Sequence, residues 1–214
     1  MSAAELPPAA GPPASPPLSE VPAGKVETVL AQAELTTEPA IDRAGDRLSF
    51  GGRSVATGRE PIAVAMLDRG KKISVLTGRE RTLEIYDAHT LKRVGKTGAG
   101  IGPTGLATDG VELLWVTDVK GDALLVFHLR PRFELIRRVH QIGGPYAIAF
   151  DQERRGLWMT VARTNQLVHY AAGSRPVLRE TFPSIRDARE VSVVGDQVIV
   201  SSESENQRLR VRSR

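Results

Sequence analysis

The chain has 214 residues, a formal net charge of +4 and no cysteine. The missing cysteine excludes disulfides, thiolate metal sites and cysteine nucleophiles, and no window of about 18 apolar residues exists to form a membrane-spanning helix. The 29 lysines and arginines are spread over the chain apart from the run RLRVRSR at Arg208 to Arg214, a distribution that suits a solvated exterior better than a nucleic-acid site.

Residues 1–24 are rich in proline and alanine and carry almost no large apolar side chains. Such a segment cannot offset its ordering entropy by burial and reads as a tether. It lacks the basic start and continuous apolar run of a signal peptide. Residues 25–44 read as a linker. Within it KVETVLAQAEL places Val26, Val29, Leu30 and Ala33 at spacings that suit either a short helix or a strand over Val26 to Leu30. From residue 45 the pattern changes. DRLSFGGRSVATG alternates apolar and polar residues around Gly51-Gly52, as one strand or a bent hairpin does.

The remainder repeats. Pro61, Pro103 and Pro145 lie 42 residues apart, and each opens a strand of small apolar residues: IAVAML, TGLAT and YAIAF. A fourth copy, REVSVV, follows Ala188. Second strands align as KISVLT, LLWVT, GLWMT and QVIVSS, and third strands begin at Arg81, Asp122, Asn165 and Asn206. LKRVGKT, FELIRRV and VLRETF supply fourth strands to three of the units. Four short strands per period of about 42 residues is the pattern of propeller blades. The expected fold is therefore an all-β propeller of about four four-stranded blades occupying residues 45–214. Ala63, Ala65, Gly105, Ala107, Ala147 and Ala149 should crowd the axis, with Trp115, Trp158, Tyr86, Phe127 and Tyr170 between blades. The last repeat stops after three strands. Its missing outer strand is expected from Asp46 to Gly58; the alternative is a partial propeller that completes itself by self-association.

GPTGLATDGVELLWVTD and GPYAIAFDQERRGLWMT, each followed by a polar turn and a D/N-x-L-x-V/H-F/Y strand, resemble YVTN-type bacterial propeller repeats, NHL repeats and the propeller of streptogramin lyases. The resemblance covers about Gly45 to Arg212. It implies a bacterial extracytoplasmic or cell-surface protein, in groups that include binding proteins, scaffolds and a few enzymes. The lyase chemistry needs a histidine and acidic residues around a metal, and no histidine stands in the matching inner loops.

His89, His128, His140 and His169 occupy different offsets in their repeats and suggest no common metal centre. Thr77, Thr117, Thr160 and Ser202 recur at the ends of second strands without a histidine beside them, so they read as turn-capping hydroxyls. The glycines of Gly98-x-Gly100-x-Gly102 precede a strand, not a helix, and suit a tight crossing between blades better than a phosphate loop. If a divalent metal binds, Asp118 and Glu203 are its candidate ligands, and Asp122 and Glu80 lie in the same set of loops. No cofactor is expected. The favoured reading is a non-enzymatic module that presents a mixed-charge loop face to a protein or small ligand. Its contact residues are Arg79, Arg81, Asp118, Lys120, Arg163 and Glu203 from the second-to-third loops. Arg59, Tyr146, Arg186, Arg189 and Glu190 join them from the entrances to first strands. A metal-dependent lyase or lactonase is the alternative, and weak attachment to nucleic acid or an anionic polymer a second one.

Overall fold

Short runs of β-branched and aromatic residues, broken every few positions by turn formers, fold into antiparallel sheets in the computed structural model, which describes residues 22–28, 38–202 and 207–212. Three sheets repeat one plan of four sequential strands. The first contains β5 (Pro61–Leu67), β6 (Lys72–Thr77), β7 (Thr82–Asp87) and β8 (Arg93–Gly98). The next contains β9 (Pro103–Thr108), β10 (Leu113–Asp118), β11 (Ala123–His128) and β12 (Glu134–His140). The third contains β13 (Pro145–Asp151), β14 (Gly156–Val161), β15 (Gln166–Ala171) and β16 (Val177–Pro183). These are the three complete repeats of the expected propeller, numbered here blades 2, 3 and 4 because the structure has five sheets where about four were expected, and their proline-led first strands lie side by side at its centre.

The two remaining sheets correct the expected closure. Residues 46–58 do not complete the last repeat. They supply β3 (Arg47–Phe50) and β4 (Arg53–Ala56), which with β2 (Ala40–Asp42) make a separate three-stranded sheet, blade 1. The physical reason is the apolar alternation of that segment. Leu48 is fully buried against Ile73, Val75, Tyr86 and Leu91 of blade 2, with Ile41 and Val55 beside it, so the hairpin covers the flank of blade 2. The outer strand of blade 5 comes instead from β1 (Lys25–Thr28), which pairs antiparallel with β19 (Gln207–Arg212) outside β18 (Gln197–Ser202) and β17 (Glu190–Val194). Of the two readings left open for residues 25–35, the strand is the observed one over Lys25–Thr28; residues 29–37 lie outside the described part.

Four apolar layers hold the five sheets face to face. Leu83 and Ile85 meet Val116, Leu125 and Phe127 between blades 2 and 3. Trp115 and Val126 meet Leu157, Met159 and Tyr170 between blades 3 and 4. Trp158 and Leu167 meet Val198, Val200 and Leu209 between blades 4 and 5. The aromatic residues expected between blades are there: Trp115 and Trp158 are buried, the first stacked on Phe150 at 5.3 Å and the second on His169 at 4.2 Å. Among the described residues no helix is long and apolar enough to cross a membrane.

Deleting residues 1–28 would strip β1 from blade 5 and leave the hydrogen-bonding edge of β19 open, a template for edge-to-edge association. The expected outcome is a lower melting temperature with concentration-dependent aggregation, measured by circular dichroism and light scattering. An unchanged melt would show that β1 adds nothing to the fold.

Candidate functional site

The loops singled out in the sequence converge because of three backbone contacts that recur from blade to blade. Directly after each second strand an N–H reaches back to the loop that enters the first strand: Gly78 to Glu60 O at 2.8 Å, Val119 to Gly102 O at 2.8 Å and Ala162 to Gly144 O at 3.1 Å. The residue that opens each third strand is left-handed, with φ of 55° at Arg81, 47° at Asp122 and 48° at Asn165. Its carbonyl accepts the first N–H of the crossing to the next blade, from Ala99, Gln141 and Ser184, each at 2.8 Å. The crossings themselves turn through positive φ, at Glu60, Gly100, Gly143 and Asp187. Second-to-third turns and inter-blade crossings therefore form one mouth.

The third contact uses carboxylates. Asp118 is fully buried, and its oxygens accept from Ile101 N at 3.1 Å, Gly102 N at 2.7 Å and Gly121 N at 3.0 Å. The Arg138 guanidinium stands 3.7 Å away. Asp122 accepts from Gly143 N at 3.1 Å and Gly144 N at 2.9 Å, and Arg163 donates to the same Oδ1. Glu80 accepts from Arg59 N at 3.2 Å and Lys96 Nζ at 2.6 Å, and Asp46 accepts from Glu60 N at 2.6 Å. These acids fasten crossings to blades. Partial burial pushes the Asp122 carboxyl upward, but the Gly144 amide, Arg163 and the Gly143 amide outweigh it and hold its pKa below the ordinary value. The Lys96 hydrogen bond does the same for Glu80.

A metal does not fit Asp118. Its oxygens are committed to backbone donors, and coordinating a cation would release the crossing they hold. Among the described residues no three His, Asp or Glu side chains converge as a ligand set; Glu203 lies outside the described residues. Of the histidines, His169 is laid flat on Trp158, where burial lowers its pKa, and His128 faces Glu112 at 3.5 Å. The hydroxyls are structural, with two changes of register, at Thr77 and at Ser202, which pairs with Gln207 at the end of β18. Thr117 and Thr160 pair with Leu124 and Leu167, whereas Thr77 pairs with Thr82, one position further along its strand. Thr117 Oγ1 donates to Tyr146 O at 2.5 Å and Thr160 Oγ1 accepts Ala147 N at 3.0 Å.

The proposed contact residues separate into three groups. Arg59 and Lys120 are exposed at the mouth, and Arg163 is exposed but paired with Asp122. Arg79, Arg81 and Arg186 are half-buried in the same loops, and Tyr146 is half-buried at the start of β13. Arg189 and Glu190 instead line a central cavity of about 330 Å³, together with Ala63, Gly105, Ala147 and Ser201.

Two features escaped sequence reasoning. Ile101 and Ile142, on the crossings into blades 3 and 4, are 52% and 67% exposed beside the loop cations; a large apolar residue next to a glycine pair in a loop was the available signal. Glu84 is fully buried in β7, where blades 3 and 4 carry Leu125 and Val168. It accepts from Tyr86 Oη at 2.6 Å, Gly58 N at 3.1 Å and Arg93 Nη1 at 2.9 Å, with Lys96 Nζ at 3.2 Å. The lone acid in an otherwise apolar strand position marked it. Glu84 ties blade 1 to blade 2 through Gly58, and Tyr86, desolvated and bonded to this carboxylate, has its pKa raised.

Asp118→Ala is expected to lower unfolding free energy by at least about 2 kcal/mol, since each buried donor left without an acceptor costs about 1–3 kcal/mol; urea denaturation measures it. Millimolar Mg²⁺, Ca²⁺ or Mn²⁺ should leave the wild-type melting temperature in place, and a rise that disappears in Asp118→Ala would restore the metal reading. Because the folded pKa of Asp122 is depressed, its stabilisation is fully present above its unfolded value, about 3.9, and is lost as pH falls through the lower folded value. Asp122→Asn should therefore lose less stability than wild type between pH about 4 and more acidic conditions, followed by acid titration of the melting temperature.

No family model matches the chain, and no curated protein does. Solved structures do. A chain of hydrazine synthase from Kuenenia stuttgartiensis superposes with a TM-score of 0.55 at 14% identity, over 71% of this chain and 49% of that one. A chain of a mitotic checkpoint complex gives 0.67 at 10% identity, over 79% and 56%. A chain of a nidogen/laminin complex gives 0.59 at 16% identity, over 78% and 66%. The chain thus spans about half to two thirds of the length of the structures it matches. All three are β-propellers, and at these identities the likeness is one of fold: the chain is a β-propeller.

Proposed function

We propose that this domain is a non-enzymatic interaction module whose loop mouth docks a partner protein through an acidic segment carrying an apolar residue. The observation that carries the reading is the division of charge at the mouth. Asp118, Asp122, Glu80 and Asp46 accept hydrogen bonds from backbone amides of the crossings, so their oxygens are engaged within the fold. Arg59 and Lys120 remain exposed, and among the described residues no ion pair holds either side chain. Ile101 and Ile142 project beside them. Cations around exposed apolar side chains on rigid loops match an acidic, partly apolar segment, with steering by charge and affinity from the apolar anchors.

Two further considerations agree. The solved propellers titled as parts of a mitotic checkpoint complex and of a nidogen/laminin complex are, by those titles, members of protein assemblies. The YVTN- and NHL-like motifs point to a bacterial cell-surface or periplasmic setting for such a module. A lyase or lactonase centred on Asp118 lacks support, because that carboxylate organises the loop.

Arrayed peptides containing Asp or Glu beside Leu or Phe test the reading by fluorescence anisotropy. Acidic members are expected to bind with an affinity that falls as salt rises. Arg59→Glu combined with Lys120→Glu and Ile142→Asp should weaken binding about tenfold or more at an unchanged melting temperature. Equal retention of acidic and basic peptides, or full binding by the triple variant, would sink the proposal.

A further inference from the structure

A left-handed residue precedes β3 in blade 1 and the third strand of blades 2, 3 and 4: Asp46, Arg81, Asp122 and Asn165. Its carbonyl accepts an N–H of the crossing to the next blade, from Thr57, Ala99, Gln141 and Ser184, each at 2.8 Å. Three residues further along the crossing a second amide needs an acceptor. In two crossings the side chain of the same left-handed residue supplies it. Asp46 Oδ1 accepts Glu60 N at 2.6 Å, and Asp122 Oδ1 accepts Gly144 N at 2.9 Å. Blade 2 has an arginine in this place, and a guanidinium has no acceptor to offer. The equivalent amide, Gly102 N, instead reaches Asp118 Oδ1 at 2.7 Å. Asp118 pairs with the first residue of its third strand, a position held by Thr77 in blade 2 and Val161 in blade 4.

The acceptor for this crossing has thus moved from blade 2 to blade 3, and the Arg81 side chain is released from holding it. That side chain is half-buried, and among the described residues no hydrogen bond or ion pair engages it. Its backbone is nevertheless fixed at one end of the crossing through Ala99 N. The other end is fixed by Val119 N, which donates to Gly102 O at 2.8 Å and stations the exposed Lys120 next to it. Between these two anchor points stands Ile101, 52% exposed. A guanidinium, an apolar side chain and an ammonium group therefore issue from one short crossing and the two turns that clasp it. Blades 1 and 3 show that the fold uses an acceptor at the left-handed position, so the arginine of blade 2 is not a requirement of the fold.

We propose that Arg81 is the specificity-determining residue of the docking mouth: its forked donors receive an Asp or Glu side chain of the docked segment while Ile101 seats the apolar residue next to it. The assignment rests on the docking reading above and places the partner's acidic and apolar pair at the crossing between blades 2 and 3. Arg59 and Lys120 steer the segment by charge. Arg81 discriminates by geometry. A carboxylate satisfies both prongs of the fork, whereas a carboxamide brings an NH2 group against one of them. Selectivity for Asp over Asn, and for Glu over Gln, is therefore the property that belongs to this residue.

Fluorescence anisotropy of the full chain with paired peptides is the test, each pair carrying Asp or Glu beside Leu or Phe in one member and Asn or Gln in the other. Wild type is expected to prefer the acidic member about tenfold or more, and Arg81→Asn to cut that preference to about threefold or less. Arg81→Lys, which keeps the charge and loses the fork, should retain only part of it. Asparagine occupies this position in blade 4 and is at ease in the left-handed region, so the melting temperature of Arg81→Asn should be no lower than that of wild type. The exchange of acceptors is read without any peptide. Arg81→Asp in the Asp118→Ala background should restore part of the lost unfolding free energy, because its carboxylate can accept Gly102 N as Asp122 accepts Gly144 N. A wild type that does not tell acidic peptides from their amides overturns the docking reading and this assignment with it. A preference that survives Arg81→Asn overturns the assignment alone and leaves docking to Arg59 and Lys120. A clear fall in the melting temperature of Arg81→Asn, or no rescue by Arg81→Asp, would make Arg81 a structural residue and overturn the assignment on stability grounds.

Discussion

A β-sheet that is apolar on both faces has to be covered on both, and blades 2, 3 and 4 are such sheets. In blade 3, Trp115 and Val126 face blade 4 while Val116, Leu125 and Phe127 face blade 2. A side chain of this size contributes about 2–3 kcal/mol on burial, and truncating one to alanine costs about 3–5 kcal/mol. No sheet here can therefore stand alone, and the face-to-face stack is the condition on which every other feature depends. The alternation of side chains along each strand then fixes register, because a slip of one residue would put Leu114 or Val116 where Trp115 fills the layer against blade 4.

Stacking brings loops together, and loops carry amides that need acceptors. The crossings are too short to fold back on themselves, so acceptors come from outside: carbonyls of left-handed turn residues and carboxylates of the neighbouring strands. Each crossing is held by the blade it leaves or the blade it enters. A mouth built in this way is preorganised, which lowers the entropy cost of docking a partner on it. The same bonds turn the carboxylate oxygens inward to the crossings and leave Arg59 and Lys120 exposed at the mouth.

The period of about 42 residues made the blades legible, as did the small residues near the axis and the aromatics between blades. The less regular features were harder to place. Blade 1 has three short strands, and only Leu48 identifies which flank it covers. The strand at Lys25–Thr28 follows a proline-rich stretch and pairs with residues far along the chain, a long-range contact that no local pattern encodes. Thr77 imitates Thr117 and Thr160 in sequence, but it stands one position further along its strand, which moves it to the opposite face. In the sequence Asp118 reads as a contact residue because it is an acid where a loop opens. Its role became visible only with the amides of Ile101, Gly102 and Gly121 around it, two of them from another loop.

The end blades show how the pattern is bounded. In blade 1 the residues on the face away from blade 2 are Ala40, Asp42, Arg47, Ser49, Ser54 and Ala56, all exposed, while Leu48 on the other face is buried. Blade 5 does the same in mirror fashion: Val198, Val200, Leu209 and Val211 turn toward blade 4, and Glu190, Ser192, Ser201, Arg208 and Arg210 turn away. Polar outer faces serve terminal repeats generally, because they end a stack without demanding another apolar surface. Here one of those faces also borders the axis. Glu190 and Ser192, at positions where other blades carry small residues, meet the solvent requirement of an end blade.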